Sequence, residues 1–246
     1  MKILITGGTE RDFYLKEICR EKGHVIQESF PCDLVVLPLP FSDTSIRDWD
    51  FPTGQSILCG ITGENFDHQA KQRKWKLFRI LQDEQYKQEN AWMTAEGALC
   101  TALNKMKSSL KESQCLVIGY GRIGKALTHL LRCFGAKTIV AARRTESRIE
   151  AGNDSIGINE IESVLSRTDL ILNTVPSMVI LETGLERVKK TAVLLELASN
   201  PYGFNMDAAN RLGLQASLES GIPGRLFPRS AANAVYRYIE RVVLHE

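Results

Sequence analysis

Residues 115–124 read Cys-Leu-Val-Ile-Gly-Tyr-Gly-Arg-Ile-Gly, an apolar run that ends in three glycines. Gly119, Gly121 and Gly124 have the spacing of the dinucleotide-binding fingerprint. In that pattern the first glycine permits a tight turn, the second lets backbone approach a pyrophosphate, and the third lets the following helix pack close to the strand. The helix then offers free N–H groups and its positive dipole end to the phosphates. Glycines also make ordinary turns, so the context has to carry the reading.

That context is a full βαβ unit. Leu116, Val117 and Ile118 form the continuous apolar run of a strand buried on both faces. Ile123, Ala126, Leu127, Leu130, Leu131 and Phe134 recur at helical spacing and give one wide apolar face. Gly135 stands where a helix C-terminal glycine is wanted, and Thr138–Ala142 reads as the second strand. At the end of that strand an NAD site usually carries Asp or Glu for the ribose hydroxyls. This chain has Arg143 and Arg144. A carboxylate repels a 2′-phosphate, whereas a guanidinium binds one through two parallel hydrogen bonds, so the pair predicts NADP over NAD. The alternative is a solvated loop with two surface arginines.

The rest of the chain continues the alternation of strand and helix. Lys2–Ile5 is a first strand followed by Gly7-Gly8, a helix is expected over 10–22 with its stop at Gly23, and Leu34–Leu37, Ile57–Cys59 and Leu77–Leu81 are further strands. A helix is expected over 65–75, and residues 40–56 form a long loop candidate. Beyond the second strand of the glycine-rich unit, Asp169–Thr174, Val193–Ala198 and Leu214–Leu218 read as strands, with short helices such as 204–212 between them. This predicts a Rossmann-type doubly wound parallel sheet with ligands at the carboxyl ends of its strands. A smaller flavodoxin-like α/β domain precedes it. The predicted boundaries are 1–92 for the N-terminal, substrate-side domain, 93–110 for a linking helix, 111–224 for the dinucleotide domain and 225–246 for a C-terminal helix that packs back on the first domain. Residues 221–228, Gly-Ile-Pro-Gly-Arg-Leu-Phe-Pro, read as an irregular hinge, and the last helix presents Ala231, Val235, Tyr238 and Val242 on one face.

In the linking helix, Leu99, Leu103 and Met106 mark the expected buried stripe, and Glu96 falls in line with Leu99 and Leu103. A carboxylate on a buried stripe is costly unless paired. Two readings stand: Glu96 lies where the stripe opens into a cleft, or it satisfies first-turn N–H groups at the helix start.

Bulk properties remove several classes. A net charge of +2 gives no basic field for nucleic acid. No apolar run reaches the roughly 20 residues that span a bilayer, and the start of the chain reads as a strand and not a signal peptide. The six cysteines form no C-x-x-C pair and read as buried thiols of a reducing cytoplasm, and the four histidines are scattered, so no metal site is expected.

Several segments together resemble a known family. Gly7-Gly8 with Arg11, Asn90 with Thr94-x-Glu96-Gly97, Val117–Gly124, Ala142-Arg143, Asn173-Thr174-Val175-Pro176-Ser177-Met178, Leu197-Ala198-Ser199 and Gly221-Ile222-Pro223-Gly224 are similar to the A subunits of dipicolinate synthases. The Asn-Thr-x-Pro-Ser-Met and Thr-x-Glu-Gly segments carry the resemblance, because the glycine fingerprint is common to many dehydrogenases. The likeness covers nearly the whole chain, which looks shorter at its N-terminus than usual members. It departs from the pattern at Asn200, where a basic residue is expected, and at Tyr202-Gly203, where a glycine pair is expected.

The resemblance implies an NADP-dependent oxidoreductase of the mother-cell cytoplasm of a sporulating bacterium. It implies oxidation of dihydrodipicolinate, or its hydrated precursor, to pyridine-2,6-dicarboxylate, in company with a flavoprotein-like B subunit. For such a reaction Glu96 is the candidate base. Gly119, Tyr120, Gly121, Arg122, Ile123, Gly124, Arg143, Arg144, Thr174, Val175 and Pro176 are the candidate NADP contacts. Arg11, Thr94, Ser199 and Gly224 are the candidate contacts of a dicarboxylate substrate, although Thr94 reads equally well as a helix N-cap. Arg225 and Arg229 either face the cleft or are solvated. A homo-oligomer is a further expectation. Two rivals stand beside this reading. One is another two-domain NADP dehydrogenase, such as a hydroxyacid dehydrogenase, which usually needs a His–carboxylate pair that no histidine at a predicted strand end supplies. The other is a non-catalytic NADP-sensing module, since a fingerprint reports binding and not turnover.

Overall fold

The alternating pattern closes into two separate parallel sheets. The structure is a computed structural model, and it describes residues 1–40 and 50–245. The chain divides into two compact units, Met1–Asn90 with Pro223–Glu246, and Ala91–Ile222.

In the first unit the strands are β1 (Lys2–Ile5), β2 (Val25–Gln27), β3 (Leu34–Val36), β4 (Ser56–Cys59) and β5 (Lys76–Arg79). They pair in parallel in the order β2-β1-β3-β4-β5, the flavodoxin-like order. Helix α1 (Glu10–Glu21) follows β1, and α2 (Glu64–Gln72) joins β4 to β5. Helix α1 stops as expected, with Gly23 in the left-handed region at φ +81° and its N–H on Arg20 O at 3.0 Å. Val35, Leu37, Phe51, Ile57, Phe66 and Trp75 form its core. Most of the loop expected over 40–56 lies outside the described residues.

The expected linking helix is placed differently. Helix α3 runs from Glu84 to Lys105, not over 93–110. Its start is capped by Asp83, whose Oδ1 accepts from Tyr86 N at 2.7 Å. Its buried stripe is Ala91, Ala95, Ala98, Leu99 and Ala102, whereas Leu103 is 45% exposed and Met106 only half-buried. Leu99 is buried as expected, but the alanines that make up the rest of the stripe hardly register in hydropathy, so Leu103 was assigned to it in their place.

The second unit holds six parallel strands: β6 (Gln114–Ile118), β7 (Lys137–Ala142), β8 (Ser155–Gly157), β9 (Leu170–Asn173), β10 (Val193–Glu196) and β11 (Gln215–Leu218). Helices α4 (Arg122–Cys133), α5 (Thr145–Ala151), α6 (Glu162–Leu165), α7 (Glu182–Leu185) and α8 (Met206–Arg211) connect them. The order β11-β10-β9-β6-β7-β8 is that of a doubly wound Rossmann sheet, with its switch point between β6 and β9. Leu116, Ile118, Ile171, Leu194 and Phe204 lie in one buried cluster. Gly135 ends α4 at φ +77°.

The segment read as an irregular hinge is largely helical. Helix α9 covers Ile222–Leu226, because Pro223 falls in the first turn, where a missing N–H costs nothing. Helix α10 (Pro228–Tyr238) packs along α1 in the first unit, where Tyr236 Oη lies 3.1 Å from His24 Nε2. It widens into a π-turn over Ile239–Val243. The widened turn moves the buried face on by one residue, so Val243 is buried where Val242 was expected. No described helix is long and apolar enough to cross a membrane.

The cysteines are less uniform than expected. Cys19, Cys59 and Cys115 are buried, Cys32 is half-buried, and Cys100 and Cys133 are exposed. Burial pushes the Cys19 and Cys115 thiols up to about 12 and that of Cys59 up to about 11, which makes them poor nucleophiles.

Candidate functional site

The glycine turn after β6 is built from three different steric demands. Gly119 has φ +95°, and a Cβ there would lie 2.4 Å from Thr174 Oγ1. A Cβ on Gly124 would lie 2.1 Å from Gly119 O, so the start of α4 sits directly on the turn. A Cβ on Gly121 would meet nothing within 4 Å. Two glycines are therefore required by the protein's own packing, and the third has open space beside it. Gly121 is also the N-cap of α4 and supplies no side-chain cap. The N-cap side chain thus takes up none of the first-turn donors of α4, and a helix start of that kind suits an anion. Tyr120, Arg122 and Ile123 complete the turn, with Tyr120 and Ile123 half-buried and Arg122 exposed. Lys125 Nζ lies 5.5 Å over the Tyr120 ring and 2.6 Å from Glu150 Oε1, which ties α4 to α5.

Thr174, Val175 and Pro176 follow β9, across the switch point. Thr174 donates through both N and Oγ1 to Ile118 O, at 2.9 and 2.8 Å, which locks this turn to the end of β6. The structure therefore brings the glycine turn and the Thr174 turn together. Arg143 and Arg144 form the exposed turn after β7, and Arg144 is the N-cap residue of α5. Sequence reasoning missed Arg148, whose Nη1 donates to Ala142 O at 3.1 Å and to Arg143 O at 2.9 Å and so fixes the turn that carries both arginines. Its place four residues after Arg144 on a short helix was the available signal.

A second missed residue is Glu196, at the carboxyl end of β10. It is fully buried and accepts from Asn173 Nδ2 at 2.7 Å, from Ala198 N at 2.9 Å and from Gly203 N at 2.8 Å. Burial pushes its carboxyl above the ordinary range, while these N–H donors pull it back. A single carboxylate inside the apolar run Val193–Ala198 was the signal.

The remaining candidates are more dispersed. Glu96 lies well inside α3 and is exposed, so the reading that it caps a helix start is overturned; its Oε1 accepts from Trp92 Nε1 at 2.9 Å. Thr94 is buried in mid-helix and is no N-cap either, because α3 begins at Glu84. Ser199 is exposed beyond β10. In the first unit Arg11 is 8% exposed, with Nη2 donating to Leu39 O and lying 3.7 Å from Asp12 Oδ1. Gly224 is its neighbour, since a Cβ on Gly224 would lie 3.8 Å from Arg11 Nη1. A cavity of about 470 Å³ in this unit is lined by Thr6, Gly7, Lys16, Gln27 and Phe51, among others, and not by Arg11. Among the described residues no cluster of His, Cys, Asp and Glu has the geometry to hold a metal ion.

Residues 76–201 match the family model described as D-isomer specific 2-hydroxyacid dehydrogenase, NAD binding domain. The A subunit of dipicolinate synthase from Bacillus subtilis (strain 168) is 28% identical over 190 residues, which is 76% of this chain and 64% of that protein. The match thus spans less than two thirds of the curated relative's length. Among solved structures, the A subunit of dipicolinate synthase from Bacillus halodurans superposes with a TM-score of 0.86 at 20% identity, covering 100% of this chain and 98% of the other. Its counterpart from Bacillus subtilis gives 0.84 at 22% identity, covering 100% and 96%. The fold is shared with both.

Proposed function

We propose that this chain, which belongs to the family of the D-isomer specific 2-hydroxyacid dehydrogenase NAD-binding domain, is a dipicolinate synthase A subunit that oxidises dihydrodipicolinate, or its hydrated precursor, to pyridine-2,6-dicarboxylate with NADP. The observation that carries the coenzyme part is the space at Gly121. A Cβ there would meet nothing within 4 Å beside an α4 start that has no side-chain cap, while Cβ atoms on Gly119 and Gly124 would run into the protein itself. The curated relative and the resemblance of the Thr-x-Glu-Gly and Asn-Thr-x-Pro-Ser-Met segments carry the substrate part. A nicotinamide coenzyme bound here supplies the hydride acceptor.

The chain's own residues position and polarise. The N–H groups of the Gly119–Gly124 turn would hold the pyrophosphate, and Arg143 with Arg144 the 2′-phosphate that distinguishes NADP from NAD. Thr174, Val175 and Pro176 would meet the nicotinamide half. Oxidation to the aromatic ring removes a hydride and a proton from the substrate. Glu96 is proposed to take the proton, and its exposed carboxylate accepts from Trp92 and is open to solvent. Arg11, Thr94, Ser199 and Gly224 remain the proposed contacts of the two substrate carboxylates, and a B subunit the proposed partner. The hydroxyacid dehydrogenase alternative, which the matched family model favours, lacks a suitable histidine. His129 is the only histidine of the dinucleotide-binding unit, and it sits on α4 against Trp92, with ring centroids 5.7 Å apart.

The test is reduced-coenzyme absorbance with freshly generated dihydrodipicolinate, with and without a B subunit. Turnover is expected, and Glu96→Gln should lower it by about 10²-fold with coenzyme affinity intact. Near-normal turnover in Glu96→Gln removes that residue from the mechanism. Tight coenzyme binding without turnover in either condition favours a sensing module.

A further inference from the structure

Two loops leave the carboxyl ends of the adjacent strands β9 and β10, and one buried carboxylate joins them. Asn173, the last residue of β9, donates from Nδ2 to Glu196 Oε1 and Oε2 at 2.7 and 2.9 Å and to Val175 O at 2.9 Å. Its Oδ1 accepts from Val175 N at 3.2 Å. Glu196, the last residue of β10, receives the N–H groups of Ala198 and Gly203 on its two oxygens. Gly203 O in turn accepts from Val179 N and Ile180 N at 2.8 and 2.9 Å. A Cβ on Gly203 would lie 2.3 Å from Asn173 Nδ2, so only glycine allows the amide to reach the carboxylate. No charged side chain is among the recorded partners of Glu196; its two oxygens face only N–H donors. A group that only accepts fits such a site, and burying it is costly. Ordinary strand ends do not need this arrangement.

We infer that Glu196 and Asn173 are positioning residues, which hold the Thr174–Pro176 turn and the Ala198–Gly203 loop in one fixed geometry against the nicotinamide half of the coenzyme. The inference rests on the coenzyme reading above and adds a division of labour to it. The glycine turn would bind the adenosine and pyrophosphate half, and the bracket would set the half where hydride transfer takes place. Glu196 touches neither ligand and acts through the backbone of Val175, Ala198 and Gly203.

The experiment compares two ligands by calorimetry: the coenzyme that the wild type prefers, and its adenosine half alone (adenosine 2′,5′-bisphosphate for NADP, adenosine 5′-phosphate for NAD). Two variants attack the bracket from opposite sides. Glu196→Gln turns an NH2 toward donors that need an acceptor, and Gly203→Ala displaces Asn173 while leaving the carboxylate in place. Each is expected to weaken the whole coenzyme by roughly tenfold, the effect of leaving one buried donor unmet, and to leave the adenosine half unchanged. Equal losses for both ligands mean general damage and overturn the inference, as does no loss for either. If the wild type binds neither ligand, the coenzyme reading itself falls. If it binds the adenosine half as tightly as the whole coenzyme, the site stands but the nicotinamide role of the Thr174 turn is overturned.

Discussion

Both sheets open in the same way, with an apolar strand, a glycine turn and a helix, yet the two turns are opposites in detail. After β1, a Cβ on Gly7 would lie 2.1 Å from Asp12 Oδ2, and that same oxygen accepts from Thr9 N at 2.9 Å and Thr9 Oγ1 at 2.6 Å. Thr9 and Asp12 form a capping box, so the start of α1 is satisfied by its own side chains and carries a carboxylate where an anion would have to sit. After β6, the N-cap is Gly121, no side chain caps α4, and the space beside that glycine is open. A glycine turn after a strand is thus not yet a phosphate site. What separates the two is whether the helix start is already occupied.

The largest effect that separates these turns should come from Gly124→Ala. The added Cβ meets backbone at Gly119 O, which cannot swing away, so about 3 kcal/mol of stability should be lost on denaturant unfolding, together with coenzyme binding. An unchanged midpoint would show that α4 does not depend on this close approach. Next, replacing Arg143 and Arg144 together by alanine should weaken NADP by roughly tenfold or more and leave NAD unchanged, as one lost charged hydrogen bond requires. Equal affinity for NADP before and after would remove both arginines from the site. Asp12→Ala should cost about 1 kcal/mol through the lost cap and leave coenzyme binding untouched. A fall in coenzyme affinity in that variant would break the contrast between the two turns.

The contrast was partly legible in advance. Gly119, Gly121 and Gly124 stand after an apolar run and marked the β6 turn, whereas the Thr9–Asp12 cap that closes the other turn emerged only in the structure. The buried central strands were legible because β1, β3, β6, β9 and β10 are almost continuously apolar. Of the edge strands, β5 and β11 were read and β2 and β8 were not: the latter two are three residues each and carry half-exposed side chains, which leaves no run to read. Helix α3 was mistaken because its buried face is mostly alanine and its cap, Asp83, lies outside any hydrophobic pattern. That error misplaced Thr94 and Glu96 as residues of a helix start. Glu196 and Arg148 left only weak marks, a lone carboxylate in an apolar run and an arginine four residues after Arg144. Their roles lie in hydrogen bonds that the conformation of the adjoining turns, and not residue type, brings into reach.

The central claim is that the open space at Gly121 is where the coenzyme's pyrophosphate meets backbone. Titration calorimetry of wild type and Gly121→Ala with NADP tests it directly, because a methyl group there would meet no atom beyond the adjacent residues within 4 Å. The wild type is expected to bind, and Gly121→Ala, with stability within about 1 kcal/mol of wild type, to lose affinity by tenfold or more. A variant that binds NADP as tightly as the wild type would contradict it.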